Sequence, residues 1–471
     1  MRRSQDNHEK NMETNIDQSF NSKRGYFDSG ATRSYHFRIE QLRKLKAGIR
    51  RYESEILDAL HSDMHKPRFE AFLSEIGIMY EEIDHTIKHL KGWMKPEKLT
   101  TPLALQLSSS RIYTEPLGVV LIIGPWNYPF QLLMAPLVGA IAAGNCAIIK
   151  PSDNTRNTGS VVERLITEMF DPAYISVVQG PGAMIGPMLI EKFRFDHIFF
   201  TGSAPVGKKI MSMAAEHLSP VTLELGGKSP VIVDKDVNID VAAKRLMWAK
   251  CFNAGQTCVC PDYLLVHESI KDQFVAKMKF YIKEFLGEKP LTSPNLTHIV
   301  NKRRFDTLTS YLNNVNILHG GEYDNTTLCM EPTIVDGVAA DHPMATEEIF
   351  GPILPVYTFK DIEEVVPFIR KNRYPLACYI FTSNNNTEKF IIENIEFGGG
   401  CVNNALIHLA NPELPFGGVG FSGMGNYHGK YSFEVFSHKK SMLKTNTFID
   451  PSLRYAPYTE SKMKWAHRLF G

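Results

Sequence analysis

The sequence predicts an α/β protein with two parallel-sheet units and a small β arm. Three observations carry this prediction. Short, fully apolar runs alternate with helix-period segments over most of the chain, the pattern of parallel strands covered on both faces. The alternation runs to Leu225, crosses a glycine turn and starts again after Ser229, giving two units. Between the first helices and the first strand, KLTTPLALQLSSSRIY (98–113) alternates apolar and polar residues around three serines, as a hairpin or protruding arm does.

In chain order, the N-terminal segment has basic residues but no apolar run behind them, so no secretory signal is expected there. Residues 1–18 read as a disordered lead-in, and Met12 offers an alternative start. Ile39, Leu42, Leu45, Ile49, Tyr52, Ile56 and Leu60 recur at three- and four-residue steps, predicting an amphipathic helix with a basic outer face. Strands are expected at Val119–Ile123, Cys146–Ile149, Ile175–Val178, Ile198–Phe200 and Val221–Leu225. The second unit continues with strands at Pro230–Val233, Tyr263–Val266, Glu331–Val335, Pro355–Tyr357 and Tyr379–Phe381, and helices near Ala242–Phe252 and Ile270–Phe285. Gly398 to Leu443, rich in glycine and aromatics, is expected to return to the arm and the first unit.

Leu117 to Ile149 carries no charge, long enough to suggest a membrane span. Gly124-Pro125-Trp126-Asn127-Tyr128-Pro129 breaks it, so strand, turn, helix and strand fit better. With 43% apolar and 22% charged residues among 471, the chain has the composition of a globular protein with large cores. Its 52 basic against 51 acidic side chains remove any general argument for nucleic acid or anionic membranes as partners. Seven scattered cysteines point to a reducing, cytoplasmic setting.

Five segments carry chemistry. In NAGQTCVC (253–260), Cys258 follows a glycine turn, and two readings stand: a thiolate nucleophile or an inert buried cysteine. Cys251, Cys258 and Cys260 lack paired metal-ligand spacing, so no metal is expected. Glu224 in LELGGK lies at an apolar strand end, either as an acid of raised pKa with a task or as a partner of Lys228. FFTGSAPVGKK (199–209) joins strand to helix through small residues that let backbone N–H groups approach a phosphate. It imitates a P-loop, but Lys209 stands where the magnesium-binding hydroxyl belongs, and no GxGxxG fingerprint occurs. Asn127 holds an amide inside an apolar stretch, as an oxyanion donor is held. Lys150 and Asp153 lie just beyond a strand's carboxyl end, where ligands bind in open α/β sheets.

Together PWNYP (125–129), Lys150-Pro151-Ser152, GSAPVG (202–207), ELGGK (224–228), GQTC (255–258), EIFGP (348–352) and PFGG (415–418) resemble the aldehyde dehydrogenase superfamily. The resemblance covers the chain from about residue 20 to its end. CVxPDY (258–263), YHGKxSF (427–433), FSH (436–438) and RYxPY (454–458) are most similar to its class 3, dimeric, fatty- and aromatic-aldehyde branch. No apolar C-terminal anchor is present, so no stable membrane attachment is expected.

The resemblance implies a Rossmann-like cofactor domain (19–97 and 115–225), a catalytic domain (226–396), and an oligomerisation arm with the C-terminal segment (98–114 and 397–471). It implies oxidation of aldehydes to carboxylic acids with NAD or NADP by a homodimer, the expected substrates being medium- or long-chain aliphatic or aromatic aldehydes. Cys258 would be the nucleophile, Glu224 the base that activates water, and Asn127 the oxyanion donor. Lys150, Asp153, Gly202, Ser203, Gly207, Glu348 and Phe350 would hold the cofactor. Relatives commonly carry Glu where this chain has Asp153; the shorter acid leaves room for a 2′-phosphate, so use of both cofactors is expected. Cys260 is also unusual, and is either inert or a strained redox partner of Cys258. A CoA-acylating relative and a P-loop-like nucleotide-binding protein are the alternatives; the presence of Glu224 argues against the first and Lys209 against the second.

Overall fold

The computed structural model describes residues 2–470, with side chains at Thr14 and from Ile16 onward. Helix α1 (Arg2–Asp28) opens the chain where the sequence pointed to a disordered lead-in; only Met1 of that segment lies outside the described residues. The reason for the difference is tertiary. Ile16 and Phe20 are buried, and the Phe20 ring stacks on Phe193 at 4.5 Å and meets Phe195 edge-on at 5.2 Å. The buried Lys23 ammonium donates to the Pro172 carbonyl at 2.8 Å. Such contacts lie far away in sequence and leave no local pattern.

Helix α2 (Tyr35–Met64) has the expected period, burying Leu42, Leu45, Ile49, Ile56 and Leu60, and Ser34 caps it by accepting the Phe37 N–H at 3.1 Å. Short α3 (Arg68–Ala71), a π-helical turn (Phe72–Gly77) and α4 (Ile78–Trp93) complete this layer. The arm begins with β1 (Glu97–Leu99) and β2 (Ser108–Pro116), paired antiparallel, so the serines sit in strand and residues 100–107 make the connection.

The first sheet contains β3 (Val119–Ile123), β4 (Cys146–Lys150), β5 (Ile175–Val177), β6 (His197–Thr201) and β7 (Val221–Glu224), all parallel, in the order β7-β6-β3-β4-β5. Helices α5 (Gln131–Ala143), α6 (Arg156–Met169), α7 (Gly182–Ile190) and α8 (Ala204–Ala215) connect these strands. The uncharged stretch is therefore β3, a loop, the 13-residue α5 and β4. Among the described residues no helix is long and apolar enough to cross a membrane.

The second sheet begins with β8 (Pro230–Val233), β9 (Tyr263–His267) and the antiparallel edge strand β10 (Asn316–His319). After a small hairpin of β11 (Tyr323–Asp324) and β12 (Cys329–Met330), it adds β13 (Thr333–Asp336), β14 (Ile353–Phe359), β15 (Ala377–Phe381) and β16 (Gly399–Val402). The order is β10-β13-β14-β9-β8-β15-β16. Helices α9 (Ile239–Cys251), α10 (Lys271–Leu286) and α11 (Lys302–Ser310) belong to this unit.

The C-terminal segment is less uniform than one arm-forming piece. β16 continues the second sheet past residue 396, because Ala377 to Ile380 pair in parallel with Gly399 to Val402. β17 (Gly423–Met424) adds an antiparallel strand to β7 in the first sheet, and β18 (Ser437–Thr445) pairs with β2 along its 9 residues. Ile123 is in register with both Lys150 and Phe200, so the carboxyl ends of β4, β3 and β6 lie side by side. Ligand-binding crevices form at that edge of open parallel sheets.

Candidate active site

Glu224 ends β7 and is 2% exposed, with neither carboxylate oxygen hydrogen-bonded. Burial pushes its pKa well above the carboxylate range. The salt-bridge reading falls away, because Lys228 pairs instead with Asp262 and donates to the carbonyls of Met344 at 2.8 Å and Glu347 at 2.9 Å. Glu224 is thus an acid without a partner.

Cys258 sits in the turn that follows α9. The chain leaves that helix through three left-handed residues, Asn253 (φ 52°), Ala254 (φ 49°) and Gly255 (φ 72°). A Cβ at Gly255 would fall 2.2 Å from the Gly351 carbonyl oxygen, so this approach of backbones requires glycine. Gln256 locks the turn: its side-chain amide donates to the carbonyls of Asn253 (3.1 Å) and His298 (3.0 Å), and its oxygen accepts the Val300 N–H. The half-buried Cys258 thiol is pushed upward in pKa by burial first, then by the carboxylates of Glu348 and Glu224. Cys260 is buried, and its sulfur donates to the Pro261 carbonyl.

Asn127 reaches this turn from the loop after β3. Its side-chain amide donates to the Gln256 carbonyl at 3.1 Å, using one of two N–H groups. Its own carbonyl accepts from Lys66 at 3.1 Å and from Asn253 at 3.0 Å.

Two cavities meet here. An apolar channel of about 470 Å³ is lined by Leu73, Ile78, Trp248, Phe252, Leu406 and Phe416, among others. A more polar cavity of about 220 Å³ is lined by Trp126, Asn127, Ser203, Gly226, Glu348 and Phe350. Leu132, Thr201, Glu224 and Cys258 line both. Tyr128, Leu132, Ile407, Leu409 and Ala410 also line the channel.

The smaller cavity gathers several of the expected cofactor residues. Gly202 and Ser203 line it; the Ser203 side chain does not cap α8, and its carbonyl accepts the N–H groups of Val206 (3.1 Å) and Gly207 (2.9 Å). Glu348, raised to about 8 by burial and by Asp262, lies against Gly226, where a Cβ would sit 2.1 Å from its carboxylate. Phe350 adopts φ 48° and meets Trp126 edge-on, with ring centroids 5.2 Å apart. Lys150, Asp153 and Gly207 lie outside the walls of both cavities. Lys150 donates to the Pro151 carbonyl at 2.8 Å; burial lowers its pKa and Asp153 counters that. Both flank Gly182, where a Cβ would lie 3.5 Å from the Lys150 ammonium and 4.0 Å from an Asp153 oxygen. Gly207 packs α8 against Leu225. Lys208 lies over the Phe421 ring at 5.6 Å, so it does not serve as a P-loop lysine.

Sequence reading missed Arg304. It lines the smaller cavity, donates to the Ile349 carbonyl, and keeps a buried Nε without a partner. It stands on the polar helix α11 in no motif, so no local signal marked it.

A thiol and an unpartnered acid where an apolar channel meets a more polar cavity, with an amide on the wall of the latter, give this two-sheet α/β protein the features of an enzyme site. The model of the aldehyde dehydrogenase family matches residues 6–442, and the chain belongs to that family. It is 48% identical over 457 residues to the 4,4'-diaponeurosporen-aldehyde dehydrogenase of Staphylococcus aureus, covering 97% of this chain and 99% of that one. It is 42% identical to the dimeric NADP-preferring aldehyde dehydrogenase of Rattus norvegicus, covering 96% and 99%. The solved substrate-bound state of Staphylococcus aureus AldH superposes with a TM-score of 0.94 at 47% identity, over 97% and 99% of the two chains. The protein is an oxidoreductase that oxidises aldehydes with NAD(P)+.

Proposed function

We propose that Cys258 is the nucleophile, Glu224 the water-activating base and Asn127 the oxyanion donor of this oxidation. One observation carries the reading: Cys258 and Glu224 stand where the apolar channel meets the polar cavity. The Cys258 thiolate adds to the aldehyde carbon, and the free N–H of the Asn127 amide with the Cys258 backbone N–H stabilises the resulting oxyanion. Loss of hydride from that carbon leaves a thioester on Cys258. Glu224 takes a proton from water, the hydroxide attacks the thioester, and the acid departs as the sulfur is released. NAD(P)+, when bound, accepts the hydride.

The polar cavity fits that cofactor. Its glycine positions leave no room for a side chain, and α8 begins at its wall, the positive end of the helix dipole favouring an anion there. Ser203, Gly202 and Gly207 form the pyrophosphate turn; Glu348 holds the nicotinamide ribose, with Phe350 beside the ring. Lys150 and Asp153 hold the adenine-side ribose. An acid near the 2′-oxygen favours NAD, and the short side chain of Asp153 still admits NADP. Turnover with both cofactors is expected; none with NADP would refute dual use.

The channel's apolar lining supports medium- or long-chain aliphatic or aromatic aldehydes, as does the 48% identity to a protein named for 4,4'-diaponeurosporen-aldehyde. We read residues 19–97 and 115–225 as the cofactor domain and 226–396 as the catalytic domain. The β1-β2-β18 arm serves a homodimer, a reading supported by its open edges and exposed Leu103, Leu443 and Phe448. A cytoplasmic location accords with seven free cysteines.

Cys258→Ser tests the assignment. Aldehyde oxidation should fall by at least about 1,000-fold while NAD+ affinity stays within about twofold; activity retained by the serine variant would refute it.

A further inference from the structure

Lys66 and Glu75 form an ion pair at 2.6 Å with both side chains 0% exposed, and neither touches the cavities that receive substrate and cofactor. Taking two charges out of water is costly, and an apolar pair of the same shape is often as stable or more so. Stability alone is therefore a weak reason for it.

Its hydrogen bonds point elsewhere. One Glu75 oxygen accepts the backbone N–H groups of Phe130 (3.1 Å) and Gln131 (3.0 Å). The Lys66 ammonium donates to the Asn127 carbonyl at 3.1 Å and stands 4.3 Å from the centre of the Tyr128 ring. The pair thus grips both ends of the 127–131 loop. The other side of that loop is tied to the Cys258 turn: Asn253 Nδ2 donates to the carbonyls of Asn127 and Gln256, each at 3.0 Å, and Asn127 Nδ2 donates to Gln256. A second, partly buried acid, Glu70, holds Asn253 by accepting its backbone N–H at 2.9 Å. The π-helical turn Phe72–Gly77 carries Glu75 inward to this place.

We propose that Lys66 and Glu75 are positioning residues for the reaction at Cys258, clamping the 127–131 loop so that the Asn127 amide is held against the Cys258 turn. The clamp rests on the assignment of Asn127 as oxyanion donor and Cys258 as nucleophile. It acts on the acylation step, where the oxyanion first forms, and neither Lys66 nor Glu75 lines the cavity assigned to the dinucleotide.

The test uses the full chain with Lys66→Met/Glu75→Leu, which replaces the pair by apolar side chains, and with Glu75→Gln, which keeps the shape. Tm, NAD+ affinity and the rate of the first-turnover NADH burst with decanal are measured for each, beside wild type and Cys258→Ser. The clamp requires a burst slowed by at least about tenfold at near wild-type Tm, with NAD+ affinity within about twofold. A merely structural pair would not separate these readouts. Either variant, folded and bursting within about threefold of wild type, overturns the proposal. So does loss of NAD+ binding in step with the burst. If the double variant does not fold, Glu75→Gln decides. A full burst in Cys258→Ser would instead overturn the assignment on which the clamp rests.

Discussion

The hydroxyls of Tyr128 and Thr257 share a hydrogen bond at 2.7 Å. Tyr128 belongs to the loop after β3 in the first unit, and Thr257 immediately precedes Cys258 in the second. The neighbouring residues repeat the tie, since Asn127 donates to Gln256. Two consecutive residues of one unit are thus fastened to two consecutive residues of the other. The channel wall and the Cys258 turn are held as one piece, although 129 positions separate Tyr128 from Thr257 in sequence.

Tyr128→Phe removes one of these ties and keeps the channel's shape. A net hydrogen bond of about 1 kcal/mol corresponds to about fivefold in rate. The expected result is a loss of that size in kcat/KM for aldehydes, with NAD+ affinity unchanged; steady-state assays and calorimetry check the two halves.

The pH dependence follows from burial. Both Glu224 and Cys258 have their charged forms disfavoured, so both pKa values move up and each reactive base form gains with rising pH. Without cofactor, alkylation of Cys258 by iodoacetamide should keep accelerating from about pH 6 to about pH 9. Steady-state oxidation should rise over the same range wherever thioester hydrolysis limits it, and Glu224→Gln should remove that part of the rise. A thiol already fully reactive at pH 6 would contradict the expected sign.

Chain length offers a third check. Each methylene buried in the apolar channel contributes about 0.8 kcal/mol, or roughly fourfold in kcat/KM. A series of straight-chain aldehydes should climb at about that rate until the roughly 470 Å³ of space is filled, then level off. Ile407→Glu, which puts a charge on the half-exposed channel wall, should flatten the series without changing NAD+ affinity.

How much of this was legible in the sequence depended on where each partner lies. Asn127, Glu224, Cys258 and Glu348 sit in short segments whose prolines, glycines and strand ends declare their backbone geometry locally. The parallel sheets were legible for a similar reason, as fully apolar runs bounded by breakers. Lys66, Glu70 and Glu75 were not, because the 127–131 loop and the Asn253 turn that they hold come 55 to 183 residues later. Within their own stretch of sequence they belong to no motif. Arg304 and α1 were hidden in the same way, each polar in sequence and fixed by distant contacts. Trp248 and Phe252 fall within the helix expected near Ala242–Phe252, and only the packing of the two units shows them facing a channel.

The most direct measurement follows the sulfur itself. Glu224→Gln should carry an aldehyde through hydride loss and then stall, because nothing activates water against the thioester. After mixing with decanal and NAD+ and an acid quench, peptide mass spectrometry should find a decanoyl group on Cys258, at close to one per chain. An unmodified Cys258, or an acyl group on a different cysteine, would contradict the account.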